Sequence, residues 1–188
     1  MKAWVNRRNL TIIALVVVAI FSRLLPHPPN FTALGAASLF AGAAIADRRL
    51  ALFVPLFTLW VSDLILNNVI YSQYYDGFVL AGQGVIWSYL AFGLIVLMGS
   101  YGQIAKGAGR VVAGSFAAAV IFFLLSNFGV WFTGGLYPIT FEGLIACYIA
   151  AIPFFGYTVA GNLFFAVALF GAWYWIRNAS PRLTSEIN

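Results

Sequence analysis

Long apolar runs broken by brief polar interruptions organise this chain. Runs at about 10–25, 31–46, 50–66, 84–100 and 111–133 approach the roughly 20 residues an α-helix needs to cross a bilayer core. Pro26-His27-Pro28-Pro29-Asn30 stops the first run, because proline ends a helix cleanly. Asp47-Arg48-Arg49 reads as a tight polar loop and 101–110 as a Gly-rich basic one. The longest interruption, 67–83, carries Tyr71, Tyr74, Tyr75 and Asp76. The last apolar stretch, 144–176, exceeds a single span of about 20 residues. Pro153 and Gly156 divide it, which predicts a short interfacial or dipping helix at 144–154 and a final span at 155–176. The pattern predicts an all-α polytopic membrane protein: one transmembrane domain over residues 1–188, a bundle of about six helices.

Composition sharpens that class. The chain is 63% hydrophobic and 8% charged, whereas soluble domains carry about 25% charged residues. In water such a surface would form large sticky patches. The net charge of +5 does not imply nucleic acid, since Lys and Arg come in ones and twos with no basic patch. Their distribution sets an orientation instead. With both ends cytoplasmic, nine of the ten basic residues fall inside and only Arg23 falls outside. Trp173-Tyr174-Trp175, just before Arg177, fits an aromatic belt at the inner face. The basic start of the first run precedes no small-x-small cleavage site, so that run reads as a span and not as a signal peptide.

Small residues recur at four-residue spacing as Ala33, Ala37, Ala41 and Ser38, Gly42, Ala46 in the second run, and as Ala113, Ala117 and Gly114, Ala118 in the fifth. Such stripes let helix backbones approach closely, within the bundle or against another membrane subunit.

Polar groups inside spans carry the functional signal, because a charge at mid-membrane costs about 2.5–3.5 kcal/mol unless paired or hydrated. Asp63 lies about 20 Å along its span at ~1.5 Å per residue, in the outer third. Arg23, Asn127 and Asn162 fall at similar height on three other spans, beside the turn holding His27 and Asn30. Their shared depth predicts an outward-facing polar pocket lined by Arg23, His27, Asn30, Asp63, Asn67, Asn127, Trp131 and Asn162. The loop bearing Tyr71 and Tyr75 forms its lid, or anchors at the interface. Arg23 and Asp63 also suit a structural ion pair, His27 a backbone-bonded turn, and the two asparagines simple cross-helix bonds. Cys147 sits in an apolar run and reads as a packing residue; a single cysteine excludes an internal disulfide. No HExxH, GxSxG, P-loop or GxGxxG is present, so no catalytic residue, cofactor or metal ligand set is assigned.

Three stretches are distinctive: Arg23-Leu24-Leu25-Pro26-His27-Pro28-Pro29-Asn30-Phe31-Thr32, Ser126-Asn127-Phe128-Gly129-Val130-Trp131, and Leu136-Tyr137-Pro138-Ile139-Thr140 followed by 147–155. Together they resemble a family of small bacterial inner-membrane proteins, similar to the substrate-binding S-components of energy-coupling-factor vitamin transporters. The nearest likeness is to solitary cobalamin-transporting S-components. The resemblance implies six helices with both ends cytoplasmic, an outward-opening pocket, and His27 and Asp63 in the binding region. It also implies a coupling subunit with ATPases as partner, for which the small-residue stripe of the second run is the candidate contact. One departure matters: the cobalamin members carry a cobalt-ligating Cys in the loop after helix three, and 67–83 has none. Uptake of a vitamin-like solute, with cobalamin or another corrinoid as the best guess, is the leading expectation. An intramembrane enzyme acting on a lipid or corrinoid, and an assembly partner in a membrane complex, are the alternatives.

Overall fold

The computed structural model describes residues 7–82 and 84–179. Lys2 and Arg182, and with them the placement of both chain ends, lie outside the described residues. Six α-helices are present: α1 (Arg7–Phe21), α2 (Leu34–Ala44), α3 (Arg48–Ile65), α4 (Val85–Tyr101), α5 (Ala108–Thr133) and α6 (Phe141–Ala179). No strand occurs among the described residues. Three helical segments are long and apolar enough to cross a membrane: Arg48–Ile70, Ala108–Thr133 and Phe141–Asn178.

The shortest helix forms the centre. α2 touches each of the other five helices, and every residue of it except Ala43 is buried. Its small residues make this possible. A Cβ on Gly42 would fall on the Val96 carbonyl oxygen, and one on Gly99 would fall on the Leu39 carbonyl, so α2 and α4 meet backbone to backbone. Ala33, Ala37 and Ala41 are all fully buried. Ser38 and Gly42 of the second stripe are buried as well, whereas Ala46 is exposed. Eleven residues also reach only about 16 Å, well short of the expected 31–46 span. On α5, Gly114 and Ala118 are buried while Ala113 is exposed.

Two helix starts are fixed by their caps. Asp47 Oδ1 accepts from the backbone N–H of Arg49 at 2.9 Å and of Leu50 at 3.0 Å. Thr140 Oγ1 accepts from Gly143 N at 3.2 Å and opens α6. From there α6 runs 39 residues without a break. Pro153 lies inside it, so the predicted division into 144–154 and 155–176 is overturned. Proline removes one backbone donor and crowds the preceding turn, yet a long apolar helix absorbs this when side chains and neighbours satisfy the freed groups.

The helix order sorts charge to one end. The starts of α1, α3 and α5 and the end of α6 bring Arg8, Arg48, Lys106, Arg110 and Arg177 to the end opposite Arg23. Aromatic rings cover several of them: Arg8 lies 5.9 Å from the Trp173 ring centre, Arg48 4.3 Å from Tyr101 and Arg177 6.0 Å from Tyr174.

Candidate functional site

A cavity of about 660 Å3 lies at the basic end among Lys106, Phe170, Trp173 and Arg177, and the other end of the bundle holds three adjoining smaller ones. α1 ends in a tight 3-10 turn, Ser22–Leu24, and Arg23 on that turn reaches across to α3. Its Nη1 donates to Asp63 Oδ1 at 2.6 Å and to Ser62 Oγ at 3.1 Å. The Tyr89 hydroxyl of α4 donates to the other carboxylate oxygen at 3.4 Å. Both charged side chains are 17% exposed, so a paired and partly wetted ion pair links three helices at the cavity wall. Pairing, with the added Ser62 and Tyr89 hydrogen bonds, offsets part of the cost of placing these charges in an apolar bundle.

Three adjoining cavities lie at this end, two of them lined by Arg23 and one of those also by Asp63. One of about 310 Å3 is walled by Arg23, Asp63, Asn67, Ser88, Phe92 and Thr133. A second, of about 300 Å3, lies between α5 and α6 and is lined by Asn30, Asn127, Tyr137, Cys147, Phe154 and Thr158. The third, about 110 Å3, lies between them and is lined by Arg23, Asn30, Thr32, Gly35, Thr158 and Asn162. Phe122 lines all three. Ser126 and Val130, one and two turns further along α5, form the shared wall of the two larger ones.

Six of the expected residues therefore gather here: Arg23, Asn30, Asp63, Asn67, Asn127 and Asn162. Asn30 has φ 62°, a left-handed conformation that asparagine tolerates, and it turns the chain into α2. Asn127 Nδ2 donates to the Phe123 carbonyl at 2.8 Å, one turn back. Asn162 Nδ2 instead crosses to α5 and donates to the Ser115 carbonyl at 3.2 Å.

Four expected residues lie elsewhere. His27 folds onto its own turn, with Nδ1 2.9 Å from the Pro28 carbonyl and Nε2 3.0 Å from the Arg23 carbonyl. Trp131 Nε1 donates to the Pro138 carbonyl at 3.0 Å and pins the α5–α6 turn. Tyr71 and Tyr75 are 47% and 42% exposed and line none of the three cavities. The interruption meets the site at its two ends, through Asn67 and through Gly82 with the adjoining Gly84. Asn68 holds it down: Nδ2 donates to the Val79 carbonyl at 2.8 Å, and Oδ1 accepts from Val79 N at 2.7 Å.

Sequence reasoning missed Phe122, Phe92 and Thr158, which sit in apolar runs where nothing marks them, and Gly35. It also missed Ser62 and Tyr89, whose only signal is the need of a buried charge pair for further partners. Cys147 is 2% exposed and its Sγ lies 3.4 Å from the Asn127 carbonyl. Among the described residues, no three His, Cys, Asp or Glu side chains converge.

Fold and site together define an all-helical protein with three membrane-length apolar helices and linked polar cavities at the end away from its basic residues. The chain belongs to the family of unknown function DUF6580, whose model matches residues 4–183. No curated protein and no solved structure matches the chain.

Proposed function

We propose that this protein is a substrate-binding membrane subunit, or a small solitary transporter, that takes up a compact vitamin-like solute. It would act as a bundle of about six membrane-embedded helices in a bacterial inner membrane. The observation that carries this reading is the convergence of Arg23, Asn30, Asp63, Asn67, Asn127 and Asn162 on adjoining cavities around Phe122. Polar groups this costly inside an apolar bundle are expected to line a solute path. The mix of amides, hydroxyls and aromatic faces suits a partly polar organic molecule. Sorting of the basic residues to the opposite end supports an outward opening under the positive-inside rule. The resemblance to vitamin-transporting S-components supports the solute class. Cavities of about 300 Å3 lie at the small end of ligand sites and favour a solute smaller than a corrinoid. With α2 enclosed, a coupling subunit would dock on other helices.

Mass spectrometry of small molecules retained by the purified protein tests this directly. A recurrent solute is expected, with affinity at least about tenfold lower in Phe122→Ala or Asn127→Ala protein of unchanged elution profile. Protein that is consistently empty, and binds nothing added back, would sink the reading.

A further inference from the structure

We infer that the cavity at the basic end seats the phosphate of an anionic phospholipid from the leaflet at that end. The inference is independent of the solute-binding reading and needs only that the apolar helices lie in a membrane.

The first observation is the shape of the site. On α6, Phe170, Trp173, Tyr174 and Arg177 follow the i, i+3, i+4, i+7 spacing that puts them on one face over about 10 Å. Opposite them stand Lys106, on the 3-10 turn Ile104–Lys106, and Val111 in the first turn of α5. Core packing fixes both walls. Phe170 meets Phe40 edge-on at 5.1 Å, and Trp173 is 7% exposed. Ile104 is buried, and a Cβ on Gly114 would stand 3.0 Å from its Cδ1, so the turn is tied to α5. The enclosed volume, about 660 Å3, has room for a headgroup and the start of a chain.

The second observation is charge without counter-charge. Lys106 and Arg177 are both exposed, and among the described residues neither pairs with a carboxylate. Asp63, Asp76 and Glu142 belong to the other end, and Asp47 caps α3. Arg110, the next cation along α5, is engaged with Gln103 Oε1 at 3.2 Å. Arg8, near the Trp173 ring, adds a third positive charge beside the wall. Unneutralised cations around an open cavity attract an anion, and a guanidinium fork matches the paired oxygens of a phosphate.

The polarity gradient selects the source of that phosphate. Lys106 and Arg177 lie at the end of the bundle, Tyr174 one turn inward from Arg177, and Phe170 one turn further in. Val167, 69% exposed, continues the apolar track. A free phosphate ester would use only the cationic rim. A phospholipid uses the whole site, with its phosphate on the cations, its glycerol esters level with Tyr174 and a chain along Phe170 and Val111. Tyr and Trp favour headgroup depth, and basic pockets between helices on the cytoplasmic side take anionic headgroups.

Native mass spectrometry of the full chain, delipidated in detergent, tests this. The probes are phosphatidylglycerol and phosphatidylcholine of matched chains, and glycerol 3-phosphate. Phosphatidylglycerol is expected to bind at least about tenfold more tightly than either of the others. Lys106→Gln and Arg177→Gln should each weaken it about fivefold, and the double variant should lose the preference between the two lipids. Arg48→Gln removes the same charge at the same end but outside the cavity, and should keep the preference. Equal binding of both lipids by the unaltered protein, or an equal loss in Arg48→Gln, overturns the inference. Glycerol 3-phosphate binding as tightly as the lipid also overturns it, and marks a site for free phosphate esters. A photoactivatable phosphatidylglycerol on the unaltered protein supplies a reading that does not depend on any variant folding. Cross-links are expected within 105–111 and 170–177, and cross-links confined to other segments would sink the assignment.

Discussion

Arg23 and Asp63 stand 40 residues apart in the chain and meet at 2.6 Å between the end of α1 and α3. Removing one partner strands the other charge in a poorly hydrated wall, whereas removing both does not. Asp63→Ala should therefore lower stability by about 3 kcal/mol. Arg23→Met combined with Asp63→Leu should recover most of that loss. Thermal unfolding in one detergent reads the comparison, and a double variant no more stable than Asp63→Ala would show that the pair itself is not the cause.

Close packing of α2 on α4 makes an internally controlled prediction. A Cβ at Gly42 or Gly99 meets a carbonyl of the facing helix, whereas one at Gly93, also on α4, meets nothing within 4 Å. Gly42→Ala and Gly99→Ala should each cost about 1–3 kcal/mol through overpacking. Gly93→Ala should be neutral or stabilising by up to about 1 kcal/mol, as alanine is the better helix former. Equal effects at all three positions, measured by unfolding temperature, would contradict this packing.

These contrasts also show what the sequence could reveal. Isolated charges in apolar runs must find partners, so Arg23 and Asp63 were legible, as was the placing of Asn127 and Asn162 toward the same end of the bundle. The alternation of apolar runs and polar turns marked α1, α3, α4 and α5 to within a few residues. Pro153 misled because proline breaks helices in water but is accommodated in an apolar bundle, so α6 stayed whole. α2 was legible as a small-residue helix but not as the enclosed centre, since spacing does not say which neighbour fills the stripe. Tyr71 and Tyr75 were assigned to the site from composition, yet the direction of their loop is set by the Asn68–Val79 clamp, which pattern alone does not disclose.

That clamp gives the third prediction. Asn68 makes two hydrogen bonds to the Val79 backbone and a third, at 2.9 Å, to the Leu64 carbonyl. Asn68→Ala should free the loop while leaving the helices in place. Hydrogen exchange at the Val79 amide should accelerate by about tenfold or more, in line with losing a bond of about 1.5 kcal/mol. Amides in the middle of α4 should keep their protection. Uniformly faster exchange across the protein would mean that Asn68 supports the whole fold and not the loop alone.

Orientation is open to a chemical test, because the chain's one cysteine is hidden. Cys147 is 2% exposed between α5 and α6, so intact protein should resist a membrane-impermeant maleimide and react only once unfolded. New cysteines can then be read against a silent background. Ile139, 64% exposed in the α5–α6 turn, lies at the cavity end. Lys106, exposed in the α4–α5 connection, lies at the basic end. Under the positive-inside rule, Ile139→Cys should label on intact cells and Lys106→Cys only after permeabilisation. The reverse pattern would turn the cavities toward the cytoplasm and overturn uptake from outside, while labelling of both sites on intact cells would mean that the two ends do not lie on opposite sides of a membrane.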